Sequence, residues 1–234
     1  MTSKDKRKLA AIMFADVVGY SRMMANNEER TLELLKDFEN ICSPIISDNE
    51  GKIIKKVGDE LFCEFSSAKE AVDCSLKIQK AIQPYNDSRP KDFKLQVRIG
   101  IHIGDIVLRD GDVFGDGVNV ASRIQPFSNP GGICISNAVK ESISSHPNYN
   151  IISEGQQDLK NIIEKYTLYR VETGYETVAK NRKKDQPFVI EINGSPGSAG
   201  IEEVSKSNMI EYILEYYKDR TKWLKPKLFK SIYS

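Results

Sequence analysis

The chain alternates between short runs of apolar residues and longer segments in which apolar residues recur every three or four positions. Short runs of this kind are typical of buried strands, and the longer segments are typical of amphipathic helices. In chain order they predict a strand at 9–14, a helix at 27–46, strands at Lys52–Val57 and Glu60–Phe65, a helix at 66–84, and extended segments at 95–103 and 105–108 on either side of Gly104. The order β-α-β-β-α-β is that of a ferredoxin-like α+β fold.

Turn residues extend this prediction. Gly58-Asp59 joins two extended segments as a two-residue hairpin turn, although Asp-Gly is the more frequent order. Further along, the pattern predicts a helix at 116–127, a turn at 129–132, and strands and helices at Ile133–Ser136, 137–144, 149–153 and 166–171. We therefore expect a ferredoxin-like core with extra C-terminal strands and helices.

Two aspartates occupy positions that this topology brings together. Asp16 follows the first strand, and Asp59 lies in the hairpin turn between the second and third strands. In a split β-α-β unit the first two strands run parallel and the third returns between them, so the end of the first strand and the hairpin turn share one edge. Each aspartate alone is explained by the frequent occurrence of Asp in turns. Together they predict a pair of neighbouring carboxylates.

The composition excludes several classes of protein. Of the 234 residues, 34 are Lys or Arg and 33 are Asp or Glu, so the chain lacks the basic excess of a non-specific nucleic-acid binder. The four cysteines are widely spaced and the two histidines are isolated, unlike those of a zinc site or a disulfide framework. No apolar run is long enough for a membrane helix. We expect a cytoplasmic protein with reduced thiols and no nucleic-acid or membrane partner.

The two aspartates also indicate a class of cofactor. Carboxylates without His or Cys ligands nearby suit Mg²⁺ or Mn²⁺, and two such ions can activate an attacking oxygen and neutralise a leaving phosphate. The turn after Asp16 includes Val18 and Gly19 and presents consecutive backbone N–H groups near the next helix. Such a turn is a suitable cradle for a triphosphate.

Four motifs carry a resemblance to a known family. They are FADVVGYS at 14–21, KKVGDELFCEF at 55–65, VRIGIHIGDI at 97–106 and GDVFGDGVNVASRI at 111–124, the last followed by NPGGICIS. Over residues 9–173 the chain resembles the catalytic domain of class III nucleotidyl cyclases, bacterial adenylate cyclases in particular. The resemblance implies the conversion of ATP to 3′,5′-cyclic AMP and pyrophosphate.

The resemblance also implies roles for individual residues. Asp16 and Asp59 match the aspartates that hold two metal ions, with help from the main-chain carbonyl after the first, here that of Val17. Lys55 and Asp112 match the pair that reads adenine. A Lys donor and an Asp acceptor also complement adenine on chemical grounds, because adenine presents an acceptor at N1 and a donor at its 6-amino group, whereas guanine reverses that edge.

The remaining matches concern the transition state and assembly. Asn119 and Arg123 lie four residues apart on one face of the predicted helix and match the pair that orients the ribose and stabilises the transition state. Lys160 matches a lysine that meets the terminal phosphates, although Asn161 follows it where the family often has Gly. In the family the Asn/Arg pair comes from the partner protomer, which implies a head-to-tail homodimer with shared active sites.

The end of the chain differs from the rest. Residues 179–234 are net basic, whereas 1–178 are net acidic, and 176–187 has the composition of a linker. Residues 188–217 resemble the final segment of ATP-grasp carboxylate–amine ligases, but about 50 residues are too few for such an enzyme. We expect a cyclase domain at 1–175, the linker at 176–187, and a non-catalytic fragment at 188–234 with an amphipathic helix at 203–219.

Two alternatives remain open from the sequence. A guanylate cyclase would share the metal and transition-state residues and would differ in how it reads the base. A non-catalytic nucleotide-binding module would be favoured by the loss of a metal aspartate or of the arginine, and Asp16, Asp59 and Arg123 are all present.

Overall fold

The computed structural model describes residues 6–90, 93–109, 112–146 and 148–176. The chain divides into two units, Met1–Val178 and Ala179–Ser234, and the described residues all lie in the first. The ATP-grasp-like fragment and its helix, together with the linker beyond Glu176, lie outside the described residues. No helix in the described part of the chain is long and apolar enough to cross a membrane.

The first unit has the predicted α+β architecture. Its strands form one sheet in the order β2-β3-β1-β4-β6-β8-β7, and β5 pairs with β4. The elements in chain order are β1 (Lys6–Val17), α1 (Tyr20–Asn26), α2 (Glu28–Asp48), β2 (Lys52–Val57), β3 (Glu60–Phe65), α3 (Ala68–Asp87), β4 (Val97–Arg109), β5 (Asp112–Phe114), α4 (Asp116–Ile124), β6 (Ile133–Ser136), α5 (Asn137–Ser142), β7 (Ile151–Asp158) and β8 (Lys165–Val171). β3 lies between β1 and β2, as the split β-α-β order predicts.

The two faces of the sheet bury different sets of side chains. Because side chains alternate along a strand, Met13 and Val17 of β1 pack in the main core with residues of α2 and α3, whereas Ile12 and Phe14 pack in a second cluster with Ala121 of α4. We call this second surface the α4 face. Asp16 lies two residues after Phe14 and four after Ile12 in the same strand, and its side chain therefore lies on the α4 face.

Local capping explains where the two long helices begin. The Asn27 side chain accepts a hydrogen bond from the Arg30 amide at the start of α2, and Ser67 forms a capping box with Glu70 at the start of α3. The predicted end of α3 at Pro84 is wrong, since the helix continues to Asp87. Asn86 exchanges two hydrogen bonds with the main chain of Leu95, and these hold the last turn in place.

Further boundaries differ from the prediction, among them that of the strand predicted at 149–153, which runs from Ile151 to Asp158. β1 runs from Lys6 to Val17 because all twelve residues pair with β4, and the expected polar turn after it contains the short helix α1. β4 is undivided, because Gly104 remains in the strand, where its lack of a side chain lets α4 approach closely. The helix predicted at 116–127 ends at Ile124 and is followed by a 3₁₀ turn at Gln125–Phe127 that contains Pro126.

Candidate active site

The two aspartates meet at the edge that the topology predicts. Asp16, near the end of β1, pairs in register with Glu60, the first residue of β3. Asp59 immediately precedes Glu60, and its carboxyl group hydrogen-bonds with that of Asp16. The end of one strand and the turn between two others therefore place two carboxyl groups in direct contact.

The Gly58-Asp59 turn has the backbone geometry that explains its residue order. Gly58 has φ 59°, and Asp59 does not share the positive φ. A positive φ at the first turn residue alone is the requirement of a type II′ hairpin, in which Gly comes first. Asp59 can therefore occupy the second position without strain and lie beside Asp16.

The electrostatics of this cluster favour a bound cation. Burial, together with the hydrogen bond and charge of Asp16, raises the pKa of Asp59 to about 7. Burial and Asp16 also raise the pKa of Glu60, and the charge of Arg123 partly offsets that shift. Carboxylates that are held together in this way repel one another when ionised. A divalent cation with oxygen ligands would relieve that repulsion.

The donor set fits a metal that takes part of its coordination from substrate. Among the described residues, no group of three or more His, Cys, Asp or Glu side chains could hold a metal ion. Asp16 and Asp59 supply two carboxylates, and the main-chain carbonyl of Val17 is adjacent to Asp16 in the chain. Mg²⁺ is often bound by one or two carboxylates together with substrate phosphates and water. The two carboxylates of Asp16 and Asp59 fit that pattern.

Arg98 is a residue of the site that the sequence analysis missed. It pairs with Asp16 across β1 and β4, and its Nη2 donates a hydrogen bond to Asp16 Oδ2. Its Nε is buried without a hydrogen-bond partner in the described structure. The sequence feature that could have indicated Arg98 is its position within VRIGIHIGDI, one of the four motifs. The strand register is needed to connect it with Asp16.

The predicted base-reading residues also meet. Lys55 Nζ donates a hydrogen bond to Asp112 Oδ2. The pairing of β2 with β3 shifts between Ile53 and Lys55, and this bulge places Lys55 opposite Phe62, a residue of the α4 face. Asp112 begins β5, whose next residue packs on the same face. The hydrogen bonds from Lys55 and from the Val113 amide lower the pKa of Asp112, so that it is ionised at neutral pH.

The loop predicted to bind phosphates contains one amide that already donates a hydrogen bond and others that lack helical partners. Val18 donates its N–H to the carbonyl oxygen of Gln96, so this amide is already in use. Gly19 has φ 76°, a conformation that favours glycine, and its carbonyl accepts the first hydrogen bond of α1, from Met23. The amides of residues 20–22 precede that first bond and lack helical partners.

The predicted transition-state residues are exposed on α4. Asn119 and Arg123 both lie on the solvent side of the helix, and Arg123 is near enough to Glu60 of the same chain to lower its pKa. Lys160 is exposed in the turn between β7 and β8, at the opposite edge of the sheet from Asp59. The following residue, Asn161, has φ 61°, which is compatible with the Gly that the family often has there.

Comparisons with known proteins identify the family to which the chain is similar. The family model described as the adenylate and guanylate cyclase catalytic domain matches residues 2–173. A protein of Rhizobium meliloti is 39% identical over 67% of this chain and 27% of its own length, and the adenylate cyclase of Streptomyces coelicolor is 30% identical over 57% of this chain and 34% of its own. The chain thus spans about a third or less of these curated relatives.

Solved structures extend the likeness to three dimensions. A crystal structure described as an adenylate/guanylate cyclase/hydrolase from Silicibacter pomeroyi is 39% identical, has a TM-score of 0.68, and matches 72% of this chain and 98% of that chain. The predicted resemblance of residues 9–173 to class III nucleotidyl cyclases is therefore confirmed. Three of its four motifs supply the carboxylate pair, the Lys55–Asp112 pair and the exposed face of α4, and VRIGIHIGDI supplies Arg98. The chain belongs to the family of adenylate and guanylate cyclase catalytic domains.

Proposed function

We propose that this chain is an adenylate cyclase that converts ATP to 3′,5′-cyclic AMP and pyrophosphate. The observation that carries the proposal is the presence of two residue pairs at one face of the sheet. Asp16 and Asp59 form a carboxylate pair suited to Mg²⁺ or Mn²⁺. Lys55 and Asp112 form a donor–acceptor pair suited to adenine.

Asp16 and Asp59, with the Val17 carbonyl, are the proposed ligands of two ions. When bound, such ions supply activation of the attacking oxygen and neutralisation of the leaving phosphate. The Arg98 guanidinium, whose side chain is 31% exposed beside Asp16, is suited to a phosphate oxygen. The amides after Gly19 are proposed to bind the remaining phosphates. Lys160 is proposed to contribute from the partner protomer, since it lies at the opposite edge of the sheet from Asp59.

The proposed reaction exchanges one P–O bond for another at the α-phosphorus. The ribose 3′-hydroxyl gives its proton to water and its oxygen bonds to the α-phosphorus, while the bond from that phosphorus to the pyrophosphate oxygen breaks and pyrophosphate leaves. Asn119 orients the ribose, and the Arg123 guanidinium stabilises the negative charge of the transition state. We propose that both come from the partner protomer of a homodimer, since they are exposed on α4 of the single chain.

The choice of ATP over GTP rests on Lys55 and Asp112. Lys55 can donate to adenine N1, and Asp112 can accept from the 6-amino group. Guanine would instead present the N1–H donor to Lys55 and the O6 acceptor to Asp112. We also propose a cytoplasmic location, because ATP is available there and the four cysteines are free and buried.

The test is to incubate the purified full chain with ATP or GTP and either Mg²⁺ or Mn²⁺, and to separate the products by chromatography. We expect cyclic AMP and pyrophosphate in equal amounts, with little cyclic GMP. Preferential formation of cyclic GMP would replace the proposal with a guanylate cyclase. Binding of ATP without turnover under all four conditions would indicate a non-catalytic nucleotide-binding module.

A further inference from the structure

Gln125 contacts the proposed metal ligand Asp16, although no motif pointed to it. Its side chain is 4% exposed, and its Nε2 donates a hydrogen bond to Asp16 Oδ2 at 3.0 Å. Arg98 donates to the same oxygen. Two donors that converge on one carboxylate oxygen define the rotation of the carboxyl group and leave its other oxygen available.

The main chain of Gln125 is itself held in place. Gln125 directly follows α4, and its N–H donates to the Ala121 carbonyl. It packs against Gly100 of β4 so closely that a Cβ at Gly100 would lie 2.4 Å from both the N and the Cα of Gln125. Pro126 then ends the helix. The side chain therefore extends toward Asp16 from a rigid position between α4 and the sheet.

The chemistry of an amide suits this position. Arg98 already supplies one positive charge to Asp16, and a second cation there would compete with a metal ion for the carboxylate. The amide Nε2 donates a hydrogen bond without adding charge. Without the Gln125 donor, Arg98 would remain on the partly buried Asp16 carboxylate, which would then be less restrained against rotation away from Asp59.

We propose that Gln125 is a positioning residue that orients the Asp16 carboxylate for divalent metal binding and connects it to the end of α4. The inference rests on the proposed function in one respect, namely that Asp16 binds a metal ion. Residues that hydrogen-bond to metal ligands in this way typically contribute 10- to 100-fold to metal affinity.

The test uses Gln125→Met in the full chain, because methionine has a similar volume and cannot donate. Mn²⁺ is titrated into protein with α,β-methylene-ATP, which cannot be cyclised, and free Mn²⁺ is measured by electron paramagnetic resonance. We expect Gln125→Met to weaken Mn²⁺ binding by about tenfold or more. Cyclase activity should need correspondingly more Mn²⁺ for half-saturation, with much of the activity recovered at high Mn²⁺.

Gln79→Met is the matched control. Gln79 is 1% exposed and donates Nε2 to the carbonyl oxygens of Val97 and Gly132 at 3.0 and 3.1 Å. Loss of these two hydrogen bonds in Gln79→Met should lower the melting temperature but leave the Mn²⁺ affinity unchanged. If Gln125→Met does not fold, Gln125→Asn replaces it, since its shorter side chain withdraws the amide from Asp16.

The outcomes separate the inference from the proposed function. Weaker Mn²⁺ binding in the Gln125 variant alone supports the inference. Unchanged Mn²⁺ affinity in that variant, or equal weakening in the Gln79 control, overturns it and leaves the proposed function intact. Failure of the wild-type chain to bind Mn²⁺ overturns the metal site, and the inference with it.

Discussion

Lys55 and Asp112 form an ion pair between positions 57 residues apart in the chain. Two local features make the contact possible. A bulge in β2 turns Lys55 toward the α4 face, and the short strand β5 returns along β4 to bring Asp112 there. Because both side chains remain partly exposed, the edge of a purine can replace part of their contact with solvent.

Reversing this polarity should weaken the use of ATP. In the double variant Lys55→Glu/Asp112→Ser, we expect kcat/KM for ATP to fall roughly 10- to 100-fold, since a well-formed pair of base contacts contributes about 1–3 kcal/mol of discrimination. Activity with GTP should rise relative to ATP, because Glu can accept from the donors of guanine. Lys56→Glu is the control, since Lys56 bonds to Glu39 instead. Unchanged efficiency with ATP would contradict the assignment.

Replacing Asp59 should affect activity and stability in opposite directions. Asp59→Asn removes a proposed metal ligand, and cyclase activity should fall by about two orders of magnitude or more. Because the folded-state pKa of Asp59 is raised to about 7, the metal-free protein loses stability as pH rises from about 4 to 7. The variant avoids that loss and should be more stable at pH 8 by about 1 kcal/mol, after allowance for solvent screening.

Asp73→Asn is the control for the stability measurement. Burial raises the pKa of Asp73, but hydrogen bonds from Lys69 and Tyr149 outweigh it and lower the pKa overall. This variant should therefore be less stable than the wild type in metal-free urea unfolding at pH 8, and its activity should be retained. If Asp59→Asn were fully active with both Mg²⁺ and Mn²⁺, Asp59 would not be a metal ligand.

Mixed dimers test where Arg123 acts. Asp59→Ala and Arg123→Ala homodimers should each be inactive. In a mixed dimer with shared sites, one site collects both defects and the other collects neither, so random mixing of equal amounts should restore roughly a quarter of wild-type activity. Arg123 also lies near Glu60 of its own chain. If mixed dimers form but remain inactive, Arg123 acts within its own protomer.

His102 should make the fold sensitive to mild acid. It is 7% exposed, and Nδ1 lies 2.8 Å from Ser136 Oγ. Burial lowers its pKa to about 4, with a small opposing effect from Asp116. In the unfolded state His102 has a pKa of about 6.5 and binds the proton more readily. The part of the free energy of unfolding that depends on neutral His102 is therefore complete above pH 6.5 and is lost as pH falls toward 4.

The size of this effect can be measured by urea unfolding at pH 7.5 and pH 5. We expect the wild type to lose about 2 kcal/mol more than His102→Gln between these pH values. His146→Gln is the control, since His146 is exposed, and it should retain the wild-type dependence. Equal pH dependence of the wild type and His102→Gln would show that His102 titrates normally in the folded protein.

A chain shortened to residues 1–178 should remain a folded, active cyclase. All proposed site residues lie within the unit Met1–Val178, and the family model ends at residue 173. Circular dichroism and the cyclase assay provide the measurements. An insoluble or inactive product would show that residues 179–234 contribute to the catalytic unit.

The sequence by itself determined the fold class and the meeting of the two aspartates. The strands Lys52–Val57, Glu60–Phe65 and Ile133–Ser136 have the predicted bounds, because the alternation of apolar residues and the turn residues between them are local signals. The convergence of Asp16 and Asp59 followed from the order of elements alone, since the handedness of the crossover leaves one arrangement.

Only the tertiary structure decided which other residues contact Asp16 and which face Lys55 occupies. Arg98 and Gln125 reach Asp16 from 82 and 109 positions away, through a strand register and a close approach at Gly100. A single extra residue in β2 determines the face of Lys55, because side chains alternate with a period of two. Register, bulges and helix packing depend on contacts between distant segments, and local periodicity does not encode them.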